Sequence, residues 1–230
     1  MQVNPNIRIS VHQPNANFVT ATRLCLVRHG ETAWNAERRI QGQLDEPLSS
    51  RGRAQARAAA NWLAQDDFAA IYSSDLSRAL HTAEAVAQRL GLSIRQRAGL
   101  RERHYGVFQR LTYAEMQQRH PREYARFIAR DEEFAFPDGG ESLRRFADRV
   151  NRCVDEIVAA HPGGQVLIVT HGGVLDIAHR RASGKPLSAP RDFEIPNTAL
   201  NWLEVDGGKW TLLAWAERGH LAETLDELPG

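Results

Sequence analysis

Short unbroken apolar runs alternate along the chain with stretches that repeat apolar side chains at helical spacing. Leu24-Cys25-Leu26-Val27, Ala69-Ala70-Ile71-Tyr72 and Val166-Leu167-Ile168-Val169 show no polar alternation, so they predict strands buried on both faces, as in a parallel sheet. Ser49-Ser50-Arg51-Gly52 starts a helix whose Ala54, Ala58, Ala59, Trp62 and Leu63 share one side. Leu76 to Leu90 repeats that pattern and closes at Gly91; Leu143, Phe146, Val150, Cys153 or Val154, and Ile157 mark a longer amphipathic helix. Ile94 to Arg97 reads as a weak fourth strand. Ala199 to Val205 and Trp210 to Ala216, on either side of Asp206-Gly207-Gly208, read as a hairpin.

Strands alternating with helices predict an α/β fold with three α/β/α layers: a mostly parallel central sheet with helices on both faces. Residues 99–140 break that rhythm with Arg, His, Tyr and Phe among helical fragments. They are expected to form a helical excursion over the strand C-terminal ends, covering an active site. Residues 1–21 hold Asn and Pro without periodicity and are expected to be a loosely ordered extension; residues 22–230 are expected to form one catalytic domain.

Composition then narrows the function. With 230 residues, 42% hydrophobic and 25% charged, the chain has enough apolar material for a sizeable core. A formal charge of +1 supplies no overall field for nucleic acid or an anionic membrane. No apolar run approaches the roughly 18–20 residues of a membrane helix, and no secretory apolar segment opens the chain, so a soluble, cytoplasmic protein is expected. Lys185 and Lys209 are the only lysines among 29 basic residues. Arg38-Arg39, Arg144-Arg145 and Arg180-Arg181 are expected on solvated faces, and the tryptophans in the core or over a strand edge. Cys25 and Cys153 read as buried thiols. Neither H-E-x-x-H nor a carboxylate cluster is present, and no metal is expected; G-x-S-x-G and the P-loop are also missing.

The chemistry gathers where the buried strands end. The first runs into Arg28-His29-Gly30, the second into Ser73-Ser74-Asp75-Leu76-Ser77-Arg78, and the third into Thr170-His171-Gly172-Gly173. Ligands of open α/β sheets bind at those carboxyl ends. Arginine presents a fixed fork to phosphate oxygens, so Arg28 and Arg78 are candidates to hold a phosphoryl group. An imidazole kept neutral by an acceptor on one nitrogen offers the other to phosphorus, which makes His29 the candidate nucleophile and His171 an oxygen ligand, expected to be cationic. Gly30, Gly172 and Gly173 are expected to permit close approach of backbone to ligand. A leaving alkoxide needs a proton, and Glu102, just past the fourth strand, is the candidate donor and later the base for water.

Leu26-Val27-Arg28-His29-Gly30-Glu31-Thr32 with Trp34-Asn35 resembles the histidine phosphatase superfamily, also called phosphoglycerate mutase-like. Gln41-Gly42, Asp45-Glu46-Pro47-Leu48-Ser49 with Gly52, Ser73 to Ala83, Glu102 to Gly106, and Thr170 to Gly173 extend the resemblance over roughly Arg23 to Ala216. It implies His29 as the phosphorylated residue; Arg28, Arg78 and His171 as the phosphate pocket; Asn35 and Gly172 as helpers; Glu102 as proton donor; and Gln41 and Gly42 on the substrate side. It also implies no metal and no other cofactor, with 2,3-bisphosphoglycerate needed as a primer only in a mutase. A small phosphorylated metabolite is the expected partner, and a homodimer is compatible with the sequence.

Two chemistries remain open within that resemblance. Glu102-Arg103-His104-Tyr105-Gly106 resembles the cofactor-dependent phosphoglycerate mutases. Ile40-Gln41-Gly42-Gln43 and Tyr113 stand, however, where mutases carry a Phe-Thr-Gly-Trp-like string and a lysine. Their paired arginines are missing, leaving Arg122, Arg126 and Arg130 isolated in sequence. Ile195-Pro196-Asn197-Thr198 and Leu111 to Glu115 are similar to the phosphatase branch. The expectation is a metal-independent phosphomonoesterase working through phospho-His29, with phosphoglycerate mutase as the alternative and a non-catalytic phosphate-binding module as the third reading.

Overall fold

The computed structural model describes residues 21–221, so the extension expected over residues 1–21 lies, except for Ala21, outside the described residues. Six strands form one mixed sheet in the order β3-β2-β4-β1-β5-β6. β1 (Thr22–Arg28) pairs in parallel with β4 (Gln165–Thr170), β4 with β2 (Ala70–Ser73), and β2 with β3 (Ile94–Gln96). β5 (Leu200–Asp206) runs antiparallel to β1 and returns as β6 (Lys209–Glu217). Between them Gly207 and Gly208 take φ of +53° and +81°, the pair of left-handed residues that a two-residue turn between twisted strands demands.

The unbroken apolar runs follow from layers on both sides of the sheet. Leu24, Leu26, Tyr72, Val166 and Ile168 share a buried cluster with α6 (Leu143–Ala159) and α7 (Gly172–Ser183). Their neighbours Cys25, Val27, Ile71, Leu167 and Val169 share another with α2 (Ser50–Leu63) and α3 (Ser77–Leu90). Ser49 and Ser142 open α2 and α6 by accepting the N–H of Gly52 and Arg145, which satisfies donors the helices cannot pair internally. Both cysteines are buried free thiols. Among the described residues no helix is long and apolar enough to cross a membrane.

Beyond β3 the chain makes short 3₁₀ turns at Ala98–Leu100 and Gly106–Phe108, then α4 (Tyr113–Arg119) and α5 (Pro121–Ile128). Phe108, Met116, Phe134 and Phe136 give this excursion a buried aromatic cluster of its own. The Arg103 guanidinium sits 4.5 Å from the centre of the Phe136 ring and donates to the carbonyls of Glu141 and Phe134. In the Arg180-Arg181 pair one arginine departs from expectation. Arg180 is 1% exposed, not solvated: its Nε meets Asp176 Oδ2 at 3.0 Å and its Nη1 donates to Pro186 O. A buried guanidinium needs such partners, and their supply lies one helical turn back and in the following loop.

Candidate active site

The middle strands β2, β4 and β1 stop at the same edge, with Arg28 opposite Thr170 and Ser73 opposite Val169. His29, 3% exposed, follows β1 directly, and its Nδ1 donates to Gly30 O at 2.7 Å. A carbonyl only accepts, so the proton sits on Nδ1 and the Nε2 lone pair is free. Burial pushes the imidazole well below its ordinary value, and the charges of Arg78 and Arg28 push the same way; the ring is therefore neutral at neutral pH. The turn carrying it is fixed from two sides. Gly30 N donates to Thr82 Oγ1 at 3.0 Å, Thr82 Oγ1 donates to Arg78 O at 2.7 Å, and Asn197 Nδ2 donates to His29 O at 2.8 Å.

Two guanidiniums flank that ring with donors to spare. Arg28 Nη1 donates to Ile195 O, and Arg78 reaches the carbonyls of Leu44 and Gly42, yet the Nε of each is buried without a partner. Burial lowers Arg78 to about 10, so it remains cationic. The ring of His171, fully buried, lies 5.2 Å from that of His29. Its Nε2 meets Ser74 Oγ at 2.8 Å, and Ser74 Oγ also accepts Leu76 N, while His171 Nδ1 has no partner. The tautomer that serves all three groups has the serine hydroxyl donating to Nε2 and the ring proton on Nδ1. Burial, then Arg78, His29 and Arg28, hold this imidazole well below its ordinary value. The expected cationic His171 is thus corrected: without an anion the pocket has two neutral imidazoles between two guanidiniums. Unpaired buried donors cost about 1–3 kcal/mol each, and the oxygens of one tetrahedral anion are the complementary acceptors.

Glu102 reaches the same place from the excursion. Its Oε1 accepts Arg103 N at 2.7 Å and its Oε2 accepts Gly173 N at 2.9 Å. Arg149, paired with Glu141 Oε2 at 2.7 Å, grips the carbonyls of Gly99, Arg101 and Glu102 and so holds the segment that presents the carboxyl. Of the three glycines expected to admit a ligand, Gly30 is instead crowded by Gly52 O, 2.4 Å from where its Cβ would lie, and Gly173 by Glu102. A Cβ at Gly173 would lie 2.1 Å from Glu102 Oε1, whereas one at Gly172 would meet Arg28 Nε at an ordinary 3.6 Å. It is Glu102, not a ligand, that leaves no room at Gly173.

Arg28, His29, Asn35, Gln41, Gly42, Arg78, Glu102 and Gly172 all line one cavity of about 540 Å³, while His171 lies within the protein beside it with no exposed surface. Asn35 already spends its Oδ1 on Thr32 N and Oγ1, capping the short α1 (Ala33–Ala36). Gln41 is buried with Oε1 unpartnered, and Gly42 lends its carbonyl to Arg78. Trp34 lines the cavity instead of filling core, and Arg38 and Arg39, expected on a solvated face, line it as well. Arg130 is not isolated: it joins the cavity wall together with Arg191 and pairs with Asp176 at 2.7 Å. Among the described residues no group of three or more His, Cys, Asp and Glu is placed to hold a metal ion.

Residues 24–218 match the family model for the histidine phosphatase superfamily, branch 1. The chain belongs to this superfamily. Its relatives include "Phosphoglycerate mutase-like protein 4" of Arabidopsis thaliana, 41% identical over 209 residues, 90% of each chain. A second Arabidopsis thaliana protein, "Metal-independent phosphoserine phosphatase", is 36% identical over 87% of this chain and 84% of its own. Among solved structures, a mycobacterial glucosyl-3-phosphoglycerate phosphatase superposes with a TM-score of 0.77 at 35% identity, covering 86% of this chain and 100% of that one.

Four residues of this histidine phosphatase support the candidates without standing out in the sequence: Ser74, Thr82, Arg149 and Asp176. Ser74 and Thr82 sit inside the Ser73 to Ala83 stretch, one beside the strand end and one a helical turn past Arg78, where a buried hydroxyl has a use. Arg149 and Asp176 carried no such signal, because helix positions do not reveal which loop they meet.

Proposed function

We propose that this histidine phosphatase superfamily member is a metal-independent phosphomonoesterase that hydrolyses a small phosphorylated metabolite through a phosphohistidine on His29. The observation that supports it is the His29 Nδ1 to Gly30 O bond, which aims a neutral Nε2 lone pair from a pocket of unpaired guanidinium donors. Nε2 attacks phosphorus while Arg28, Arg78 and His171 take the charge spreading over the phosphoryl oxygens. The P–O ester bond breaks, and the carboxyl of Glu102 gives its proton to the departing oxygen. Water then loses a proton to the Glu102 carboxylate as it attacks phosphorus; the P–N bond breaks, and inorganic phosphate leaves. The metal independence named for the Arabidopsis thaliana phosphoserine phosphatase supports chemistry without a metal cation.

A second reading, phosphoryl exchange between two hydroxyls as in a mutase, gains weight from one observation. Arg130 and Arg191 in the cavity wall supply cations for a second anionic group, although neither belongs to an arginine pair in the sequence. One experiment tests both. The protein is incubated in EDTA with 3-phosphoglycerate plus 2,3-bisphosphoglycerate, and free phosphate and 2-phosphoglycerate are followed together. A panel of phosphomonoesters runs in parallel, with an alkaline quench to trap the phosphoenzyme. Phosphate release from the panel with a phosphoryl group on His29 is the expected result. Fast isomer exchange with little phosphate overturns the hydrolase reading, and turnover surviving in His29→Ala overturns the mechanism.

A further inference from the structure

The peptide group joining His29 to Gly30 is gripped at both polar ends by side chains from distant elements. Gly30 N donates to Thr82 Oγ1, in α3, at 3.0 Å, while His29 O accepts Asn197 Nδ2, from the loop before β5, at 2.8 Å. A peptide group is planar, so partners at both ends fix how it is turned. The next peptide is held as well: Glu31 N donates to Gln55 Oε1 at 2.9 Å, and Gly30 O takes the Nδ1 proton of His29 at 2.7 Å. The imidazole of His29 thus takes its orientation from a carbonyl whose direction is set one residue earlier, by the plane that Thr82 and Asn197 share.

The loop that carries Asn197 is fastened to Arg28 through main-chain atoms. Thr198 N donates to Arg28 O at 2.9 Å, and Ile195 O accepts Arg28 Nη1 at 2.7 Å. Ala199 N reaches Pro196 O at 3.4 Å across the turn, with Thr198 at φ +56°. A left-handed, β-branched residue is costly and persists where its surroundings enforce it, often beside a functional site. Thr198 is fully buried, and its Oγ1 donates to Asn197 O at 2.8 Å. The turn leaves Asn197 half-buried, with its amide on the residue that follows β1. Ile195 lines the cavity but Asn197 does not, so an effect of Asn197 on the reaction must pass through His29.

We propose that Asn197 is a positioning residue for the nucleophile: through His29 O it fixes the His29–Gly30 peptide, so that Gly30 O keeps the imidazole proton on Nδ1 and Nε2 stays bare toward the phosphoryl site. The nucleophilic role of His29 rests on the phosphomonoesterase reading, whereas its tautomer follows from the geometry alone. An imidazole without such a carbonyl places its proton on either nitrogen. The fraction with Nε2 protonated has no lone pair there to attack phosphorus.

Nitrogen-15 spectra of histidine-labelled protein test the tautomer without any turnover, with His29→Gln identifying the resonances of that ring. The parent is expected to show a protonated Nδ1 and a bare Nε2; in Asn197→Ala the two resonances are expected to move toward each other as both tautomers fill. With p-nitrophenyl phosphate, kcat/KM of Asn197→Ala should fall about ten- to a hundredfold, while inhibition by inorganic phosphate stays within about threefold, because Arg28, Arg78 and His171 keep their own partners. Asn197→Leu keeps the volume of the side chain without the donor and should be as slow as Asn197→Ala. Both variants retain the main-chain bonds of the loop, so circular dichroism should match the parent. An unchanged tautomer, a mixed tautomer with parental kcat/KM, a leucine variant as fast as the parent, or loss of the fold in both variants overturns the assignment. A parent that releases no phosphate from any phosphomonoester, while the tautomer responds as expected, defeats the phosphatase reading alone.

Discussion

Glu102 Oε2 accepts the backbone N–H of Gly173, which ties the candidate acid to the first turn of the helix that follows His171. His171 and the candidate proton donor are therefore positioned by one element. Gly173→Ala puts a methyl group 2.1 Å from Glu102 Oε1, and the carboxyl must swing away. Turnover of alkyl phosphates is expected to fall about 10²-fold, with a melting temperature that stays within about 4 °C of the parent. Phosphate release and a thermal melt on the same sample check both halves; unchanged alkyl turnover rejects the proposed placement.

Glu102→Gln keeps the size of the side chain and removes the proton. Esters of poor leaving groups, such as alkyl alcohols, should slow by about 10²–10³-fold, and p-nitrophenyl phosphate by no more than about tenfold. Comparing kcat/KM, which ends at formation of the phosphoenzyme and leaves out the water step common to both classes, decides the matter, since equal slowing means that Glu102 is not the donor.

Thr82 carries the N–H of Gly30 on its hydroxyl and passes its own proton to Arg78 O. Thr82→Val leaves a buried amide without a partner, a loss of about 1–3 kcal/mol. Urea unfolding should report that loss, and kcat should drop as well because the Arg28-His29-Gly30 turn is released. A stable variant with a slow enzyme, or the reverse, would separate these two roles.

The two buried imidazoles also make stability depend on pH. Both are held below the ordinary value, His29 and His171 by burial first and by neighbouring guanidiniums next. Above about pH 6.5 neither state binds the proton, and this contribution to stability is complete. Below it the unfolded chain takes up protons that the folded chain refuses, so stability falls by about 1.4 kcal/mol per pH unit for each ring until the folded-state pKa is passed. Urea unfolding from about pH 7.5 down to about pH 5.5 is expected to show a shallower decline for His171→Gln by the share of one ring. A decline as steep as the parent's contradicts a neutral His171.

The strands and their chemical endings were legible because a run such as Val166 to Val169 has one physical explanation, burial on both faces, and because each run stops at a residue of unusual chemistry. Sheet order was not legible: β1 pairs with β4 across some 140 intervening residues, and local pattern holds no record of such pairing. The charge of His171 escaped the sequence for a related reason, since it is set by burial and by Arg78, His29 and Arg28, which only the fold assembles. Arg180 and Arg130 look like surface residues until Asp176 is found between them. Gly172 and Gly173 were indistinguishable as letters; only the carboxyl of Glu102 tells them apart.

The aromatic cluster around Phe108, Met116, Phe134 and Phe136 shares no buried member with the two clusters that flank the sheet. The wall that contributes Tyr105, Tyr113, Phe127 and Arg130 to the cavity thus folds on its own apolar support, while His29 and His171 rest on that of the sheet. Substitutions in this wall can therefore change what the cavity admits while the packing beneath His29 and His171 stays as it is.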